Sequence, residues 1–160
     1  MRIYSFPSIS NAASRILILG SMPGNRSLEL NQYYGHNGNA FWKLLFTLFD
    51  ESFSEDYTIR KNLLLQHNLA LWDVLQACER QGSLDSAIQK EVVNDFGAFL
   101  VAHPNIQYIL FNGQAAAKYF KKYVTVSDSY TLITLPSTSP AHAGLSFDKK
   151  LAAWEIIKQL

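Results

Sequence analysis

Four short apolar runs punctuate the chain. Ile16-Leu17-Ile18-Leu19 ends at Gly20, Ile106-Gln107-Tyr108-Ile109-Leu110-Phe111 ends at Asn112-Gly113, and Tyr130-Thr131-Leu132-Ile133-Thr134-Leu135 ends at Pro136. Leu69-Ala70-Leu71-Trp72 is a weaker fourth. Runs of this length, bounded by glycine or proline, predict buried strands. Between them the apolar spacing turns helical. Phe41, Leu44, Leu45 and Leu48 share one face, with Asn39 as the predicted N-cap. Further helices are predicted over Ile59–His67 with Asn68 as its stop, over Val92–Val101, over Gln114–Lys121, and through Leu151, Trp154 and Ile157, the last opened by Asp148.

Strands alternating with helices predict an α/β fold: a three-layer α/β/α sandwich around a central, mainly parallel four-stranded sheet. Ligands of such sheets sit outside the carboxyl ends of the strands. The segments after Leu19, Trp72, Phe111 and Leu135 are therefore where function is sought.

Composition narrows the class. The 160 residues fit one domain with a real core, and 48% of them are hydrophobic, so the chain is not a disordered one. The formal net charge of +1 offers no support for a non-specific nucleic-acid binder, so any DNA contact must be local. A single cysteine, Cys78, excludes an intrachain disulfide framework and a cysteine zinc cluster. The opening Met1-Arg2-Ile3-Tyr4-Ser5-Phe6-Pro7 is too short and polar for a signal peptide, and no run reaches the length of a membrane span, so an intracellular protein is expected.

The strand ends carry the candidate chemistry. Gly20-Ser21-Met22-Pro23-Gly24 makes a tight loop whose backbone amides can face a ligand, although on its own it reads as a turn. Tyr33-Tyr34-Gly35-His36-Asn37-Gly38-Asn39 sets flat rings beside small residues and amides, which suits a pocket for a planar base as well as it suits a polar loop. Asn112 offers a donor and an acceptor to a heterocycle, or a helix cap. Asp73 reads as an N-cap for a segment starting at Val74 rather than as a catalytic acid. Pro136-Ser137-Thr138-Ser139-Pro140-Ala141-His142-Ala143-Gly144-Leu145 combines small hydroxyl residues that suit phosphate contacts with an apolar tip.

Taken in order, these segments resemble the uracil-DNA glycosylase superfamily over most of the chain. Gly20-Ser21-Met22-Pro23-Gly24 is similar to the Gly-x-Asn-Pro-Gly loop of the mismatch-specific uracil and thymine branch. Asn39-Ala40-Phe41-Trp42-Lys43 resembles its Asn-Arg-Phe-Trp-Lys helix start, and Phe111-Asn112-Gly113 has a counterpart there. The combination with Tyr33-Tyr34 and Ser137-Thr138-Ser139-Pro140-Ala141 resembles the hypoxanthine-DNA (deoxyinosine) glycosylase branch. No single motif is specific, but four in the right order are. Two departures matter. The superfamily usually has Asp or Asn at Met22, where it helps place the attacking water, and the best-known branch has a catalytic His at Ser137. A thioether is too weak an acceptor for the first role. The resemblance implies that the deoxyinosine branch shares both losses and uses Asn39 instead.

What the resemblance implies is a monofunctional DNA glycosylase, acting on damaged DNA as a monomer, with no cofactor or metal. Asn39 would be catalytic. Gly20, Ser21, Met22, Gly24, Tyr33, Tyr34, Phe41 and Asn112 would hold the base. Ser137, Ser139, Pro140, Ala141, His142 and Leu145 would contact DNA, with Leu145 or Ala141 as the wedge. A uracil- or mismatch-specific glycosylase, a lesion-binding protein without turnover, and an α/β enzyme of free nucleotides are the alternatives.

Overall fold

A computed structural model of the chain describes residues 2–142 and 144–160; Met1 and Ala143, the latter within the predicted DNA-contacting loop, lie outside them. In chain order the strands are β1 (Arg2–Tyr4), β2 (Ile16–Gly20), β3 (Leu69–Asp73), β4 (Leu75–Glu79), β5 (Gln89–Val93), β6 (Tyr108–Asn112) and β7 (Thr131–Leu135). The helices are α1 (Asn25–Leu30), α2 (Phe41–Leu48), α3 (Tyr57–Gln66), α4 (Phe96–Ala102), α5 (Gln114–Tyr123) and α6 (Phe147–Trp154), with 3-10 turns at Asp85–Ala87 and Glu155–Gln159.

The four predicted strands form the central sheet in the order β3-β2-β6-β7, with every pairing parallel. Strand periodicity explains why β2 is apolar throughout. Ile16 and Ile18 point to one side, where they meet Phe41, Leu44 and Leu45 of α2, Leu63 and Leu64 of α3, and Trp154 of α6. Leu17 and Leu19 point to the other, where they meet Phe96 and Phe99 of α4, Ala116 and Phe120 of α5, and Leu75 and Cys78 of β4. The sheet is thus the middle of three layers, and its carboxyl edge is the one place where the loops after β2, β3, β6 and β7 can converge.

Several local expectations are corrected. The predicted helix from Val92 is divided: Val92 and Val93 end β5, and the Asp95 side chain, accepting from the Ala98 amide at 3.0 Å, starts α4 at Phe96. Asp73 caps no helix, because the chain continues after Val74 into the extended β4. Strands β1, β4 and β5 form a small antiparallel sheet in the order β1-β4-β5 that the sequence does not announce. The cap position of α2 is Ala40, and Asn39 serves from one residue further back, its Oδ1 accepting from the Phe41 amide at 2.9 Å. Ser146, not Asp148, opens α6 by accepting from the Lys149 amide at 3.3 Å. Asn68 ends α3 as expected, in a left-handed conformation at φ 57°.

Candidate active site

The loops after β2, β3, β6 and β7 enclose a cavity of about 270 Å³ at the carboxyl edge of the parallel sheet. Gly20, Ser21, Met22, Gly24, Tyr33, Tyr34, Asn39, Asn112, Ser137, Ser139, Pro140 and Ala141 all line it, although they span 122 positions of sequence, from 20 to 141. Phe41 does not reach the wall. It is fully buried and lies behind Tyr34, with the two rings stacked at a centroid distance of 4.2 Å. His142 is exposed and Leu145 half-buried, both outside the lining.

Each wall is fixed by a specific local device. Gly20 allows a close approach that no other residue would: a Cβ there would lie 2.7 Å from Asp73 Oδ1 and 2.8 Å from the Tyr34 hydroxyl. Tyr34 takes a left-handed conformation at φ 52°, which turns its ring onto Phe41 and its hydroxyl toward the end of β6. There the Asn112 Nδ2 donates to the Tyr34 hydroxyl at 3.0 Å and to Thr138 Oγ1 at 2.9 Å, while Asn112 Oδ1 accepts from the Thr138 amide at 2.9 Å. Both amide hydrogens of Asn112 are therefore engaged within the protein, leaving one carbonyl lone pair. Tyr33 is packed deeper, its hydroxyl donating toward the carbonyls of Phe6 and Pro7. The last loop is anchored from two further sides: the Ala40 amide donates to the Thr138 carbonyl at 3.0 Å, and Trp154 Nε1 donates to the Pro136 carbonyl at 2.8 Å. Gly113, at φ 96°, lets Ser137 pack directly over the backbone.

Sequence reasoning missed part of the wall. Asp73, Ser83, Asp85 and Thr138 line the cavity as well. Ser21 donates to Asp85 Oδ1 at 2.6 Å, and the Asn25 amide donates to Ser83 Oγ at 2.9 Å, so the turn after β4 closes the side of the first loop. No local pattern marks Ser83 or Asp85, because only tertiary contact carries them there. Electrostatically the site favours neutral groups. Burial, then the neighbouring Asp73, push the Tyr34 phenol well above its usual value, and burial pushes the Asp73 carboxyl up to about 7 against the pull of Ser5 and Arg80. Asp85 adds to that upward shift of Asp73. Among the described residues, no three or more His, Cys, Asp or Glu side chains gather as a metal site.

Residues 7–158 match the family model described as the uracil DNA glycosylase superfamily. Curated relatives include two proteins named hypoxanthine DNA glycosylase. One, from Methanosarcina barkeri, is 39% identical over 74% of this chain and 76% of its own length. The other, from Methanosarcina acetivorans, is 36% identical over 95% of each. Among solved structures, the solution NMR structure of a candidate uracil DNA glycosylase from Methanosarcina acetivorans superposes with a TM-score of 0.81 at 32% identity, covering 99% of both chains.

Proposed function

This chain belongs to the uracil DNA glycosylase superfamily, and on that premise we propose that its cleft receives one deaminated base extruded from the duplex, hypoxanthine in preference to uracil, and hydrolyses its N-glycosidic bond. The observation that carries the reading is the convergence of the first loop, the Tyr34 ring, Asn39 and the Ser137–Ala141 loop on one cavity. Its volume of about 270 Å³ is near the lower end of the roughly 300–1,000 Å³ typical of small-molecule sites, a scale suited to one base rather than a whole nucleotide. The two relatives named for hypoxanthine support the choice of base.

Extrusion is least costly for a mismatched or damaged base, which supplies part of the selectivity. Tyr34, backed by Phe41, forms the flat wall against which the base rests. Asn112 acts chiefly by holding Tyr34 and the last loop in place, with one carbonyl lone pair left for the base. As the bond stretches, the sugar gains positive charge and the base negative charge, which the amides of the Gly20–Gly24 loop stabilise. Asn39 has one lone pair of its Oδ1 committed to the Phe41 amide. The second lone pair accepts a hydrogen of the attacking water and aims it at the anomeric carbon. An amide cannot deprotonate that water, so Asn39 contributes by positioning, which can be worth several kcal/mol. Ser137, Ser139, Pro140 and His142 meet the DNA backbone, and Leu145 or Ala141 fills the gap left in the stack. No helix of the described residues is long and apolar enough to cross a membrane. The protein acts inside the cell as a monomer.

The test is a panel of duplexes, each carrying one hypoxanthine, uracil or xanthine, scored for abasic sites after alkali. The reading expects strand breaks at hypoxanthine first. Binding without breaks at any of the three would contradict it.

A further inference from the structure

One polar group in the cavity wall has no part in water positioning. Asp73, the last residue of β3, is only 4% exposed. Its backbone carbonyl accepts from Asn94 Nδ2 at 2.8 Å, and the Ser5 hydroxyl donates to its Oδ2 at 2.6 Å, so the side chain is clamped from behind. The other oxygen, Oδ1, lies against Gly20 and has no hydrogen-bond partner among the described residues. Asp73 forms part of the cavity lining. A carboxyl so placed donates a proton when neutral and repels a departing anion when ionised.

The titratable and charged groups coupled to it come from every side. Asp85 in the 3-10 turn and Arg80 beyond β4 act on its carboxyl, and the carboxylate in turn raises the phenols of Tyr33 and Tyr34 before α2 and of Tyr57 at the start of α3. Burial is the largest effect and pushes the carboxyl up to about 7; the Ser5 hydrogen bond and Arg80 pull it back, and Asp85 pushes it further.

We propose that Asp73 is a catalytic general acid for purine excision, its Oδ1–H giving a proton to N7 of the base as the glycosidic bond breaks. This rests on reading the cleft as that of a hypoxanthine glycosylase. The bond between the anomeric carbon and N9 breaks and its electron pair goes to the base. The proton from Oδ1 bonds to N7, so the base leaves neutral. The oxygen of water bonds to the anomeric carbon, and the proton it sheds returns through solvent to the Asp73 carboxylate. The sum is hydrolysis, with no further reactant. A pyrimidine has no imidazole nitrogen to receive the proton, so Asp73 also separates the two classes of base.

The experiment is single-turnover excision from duplexes with one deoxyinosine or one deoxyuridine, between about pH 5.5 and 9, for the wild type, Asp73→Asn and Ser5→Ala. The wild-type rate on deoxyinosine is expected to fall about tenfold per unit above roughly pH 7. Asp73→Asn is expected to be about 10²–10⁴-fold slower on deoxyinosine, to lose that pH dependence, and to be slowed far less on deoxyuridine. Ser5→Ala, which removes a donor that favours the carboxylate, moves the fall to higher pH. An Asp73→Asn rate within about threefold of wild type, or a Ser5→Ala profile that does not move, overturns the assignment. If Asp73→Asn fails to fold, the Ser5→Ala profile decides alone. A wild type that releases no hypoxanthine contradicts the reading of the cleft itself, a result distinct from a fully active Asp73→Asn.

Discussion

Asn112, at the end of β6, and Thr138, in the loop after β7, grip each other twice: the amide nitrogen donates to Oγ1 and the amide oxygen accepts from the backbone N–H, both at 2.9 Å. Thr138 is 1% exposed, so water cannot replace either bond. This double contact sets the distance between the floor of the cleft and the loop proposed to hold DNA. Thr138→Val keeps the shape and removes one acceptor, leaving an Asn112 hydrogen unpaired at a cost of about 1–3 kcal/mol. The melting temperature should fall by roughly 2–4 °C per kcal/mol. Calorimetry showing no change would mean that the two residues do not depend on each other.

Asn39 separates chemistry from stability. Its helix-end hydrogen bond is worth about 1 kcal/mol. Helix α2 meanwhile buries Phe41, Trp42, Leu44, Leu45, Phe46 and Leu48, each worth about 1.5–3 kcal/mol. Asn39→Ala should therefore fold, melt only a few degrees lower, and lose at least about 100-fold in single-turnover rate. Near-full turnover would assign the water to another residue.

The wedge is tested by comparing paired with single-stranded substrates. Leu145→Ala or Ala141→Gly should slow excision from a duplex much more than from a single strand, since only the duplex must be unstacked. The variant with the larger duplex-specific loss identifies the wedge. Equal losses on both substrates for both variants would exclude a wedge in this loop.

Asp73 should leave a signature in folding as well. Its carboxyl moves from an ordinary value of 3.8 to about 7 in the fold. Between those values the unfolded chain has lost the proton and the fold has kept it, so stability falls as pH rises from about 4 to about 7 and then levels. Asp73→Asn carries no such penalty. Its stability relative to wild type should rise across that window by on the order of a few kcal/mol, at about 1.4 kcal/mol per unit. A difference independent of pH, measured by denaturant unfolding, would show that the buried carboxyl is not held neutral.

The parallel sheet was legible because burial on both faces makes β2 a plain run of Ile and Leu, which no surface element would carry. The small antiparallel sheet was not. Its β1 is three residues long, and β5 reads Gln-Lys-Glu before two valines, a composition in which tertiary pairing overrides local signal. The lining residues on the strand-end loops followed from the rule that ligands gather at carboxyl ends. Asp73 has the local look of a cap, as any aspartate after an apolar run does, yet it ends one strand just before the next. What distinguishes it is the hydroxyl of Ser5, 68 positions away, and the bare backbone of Gly20 in the next strand. The resemblance puts Phe41 among the residues that hold the base; in the fold its ring lies behind Tyr34, stacked on it at 4.2 Å.

As proposed, this cleft hydrolyses the glycosidic bond of deoxyinosine in preference to that of deoxyuridine. Hydrogen bonding cannot rank the two, since both bases present a carbonyl beside a ring N–H; the size of the pocket and a donor for a purine nitrogen must do so. The direct measurement is the single-turnover rate at about pH 6.5 on otherwise identical duplexes carrying one deoxyinosine or one deoxyuridine, with the released base identified chromatographically. Free hypoxanthine is expected, released at least about tenfold faster than uracil. Faster release of uracil would contradict that preference.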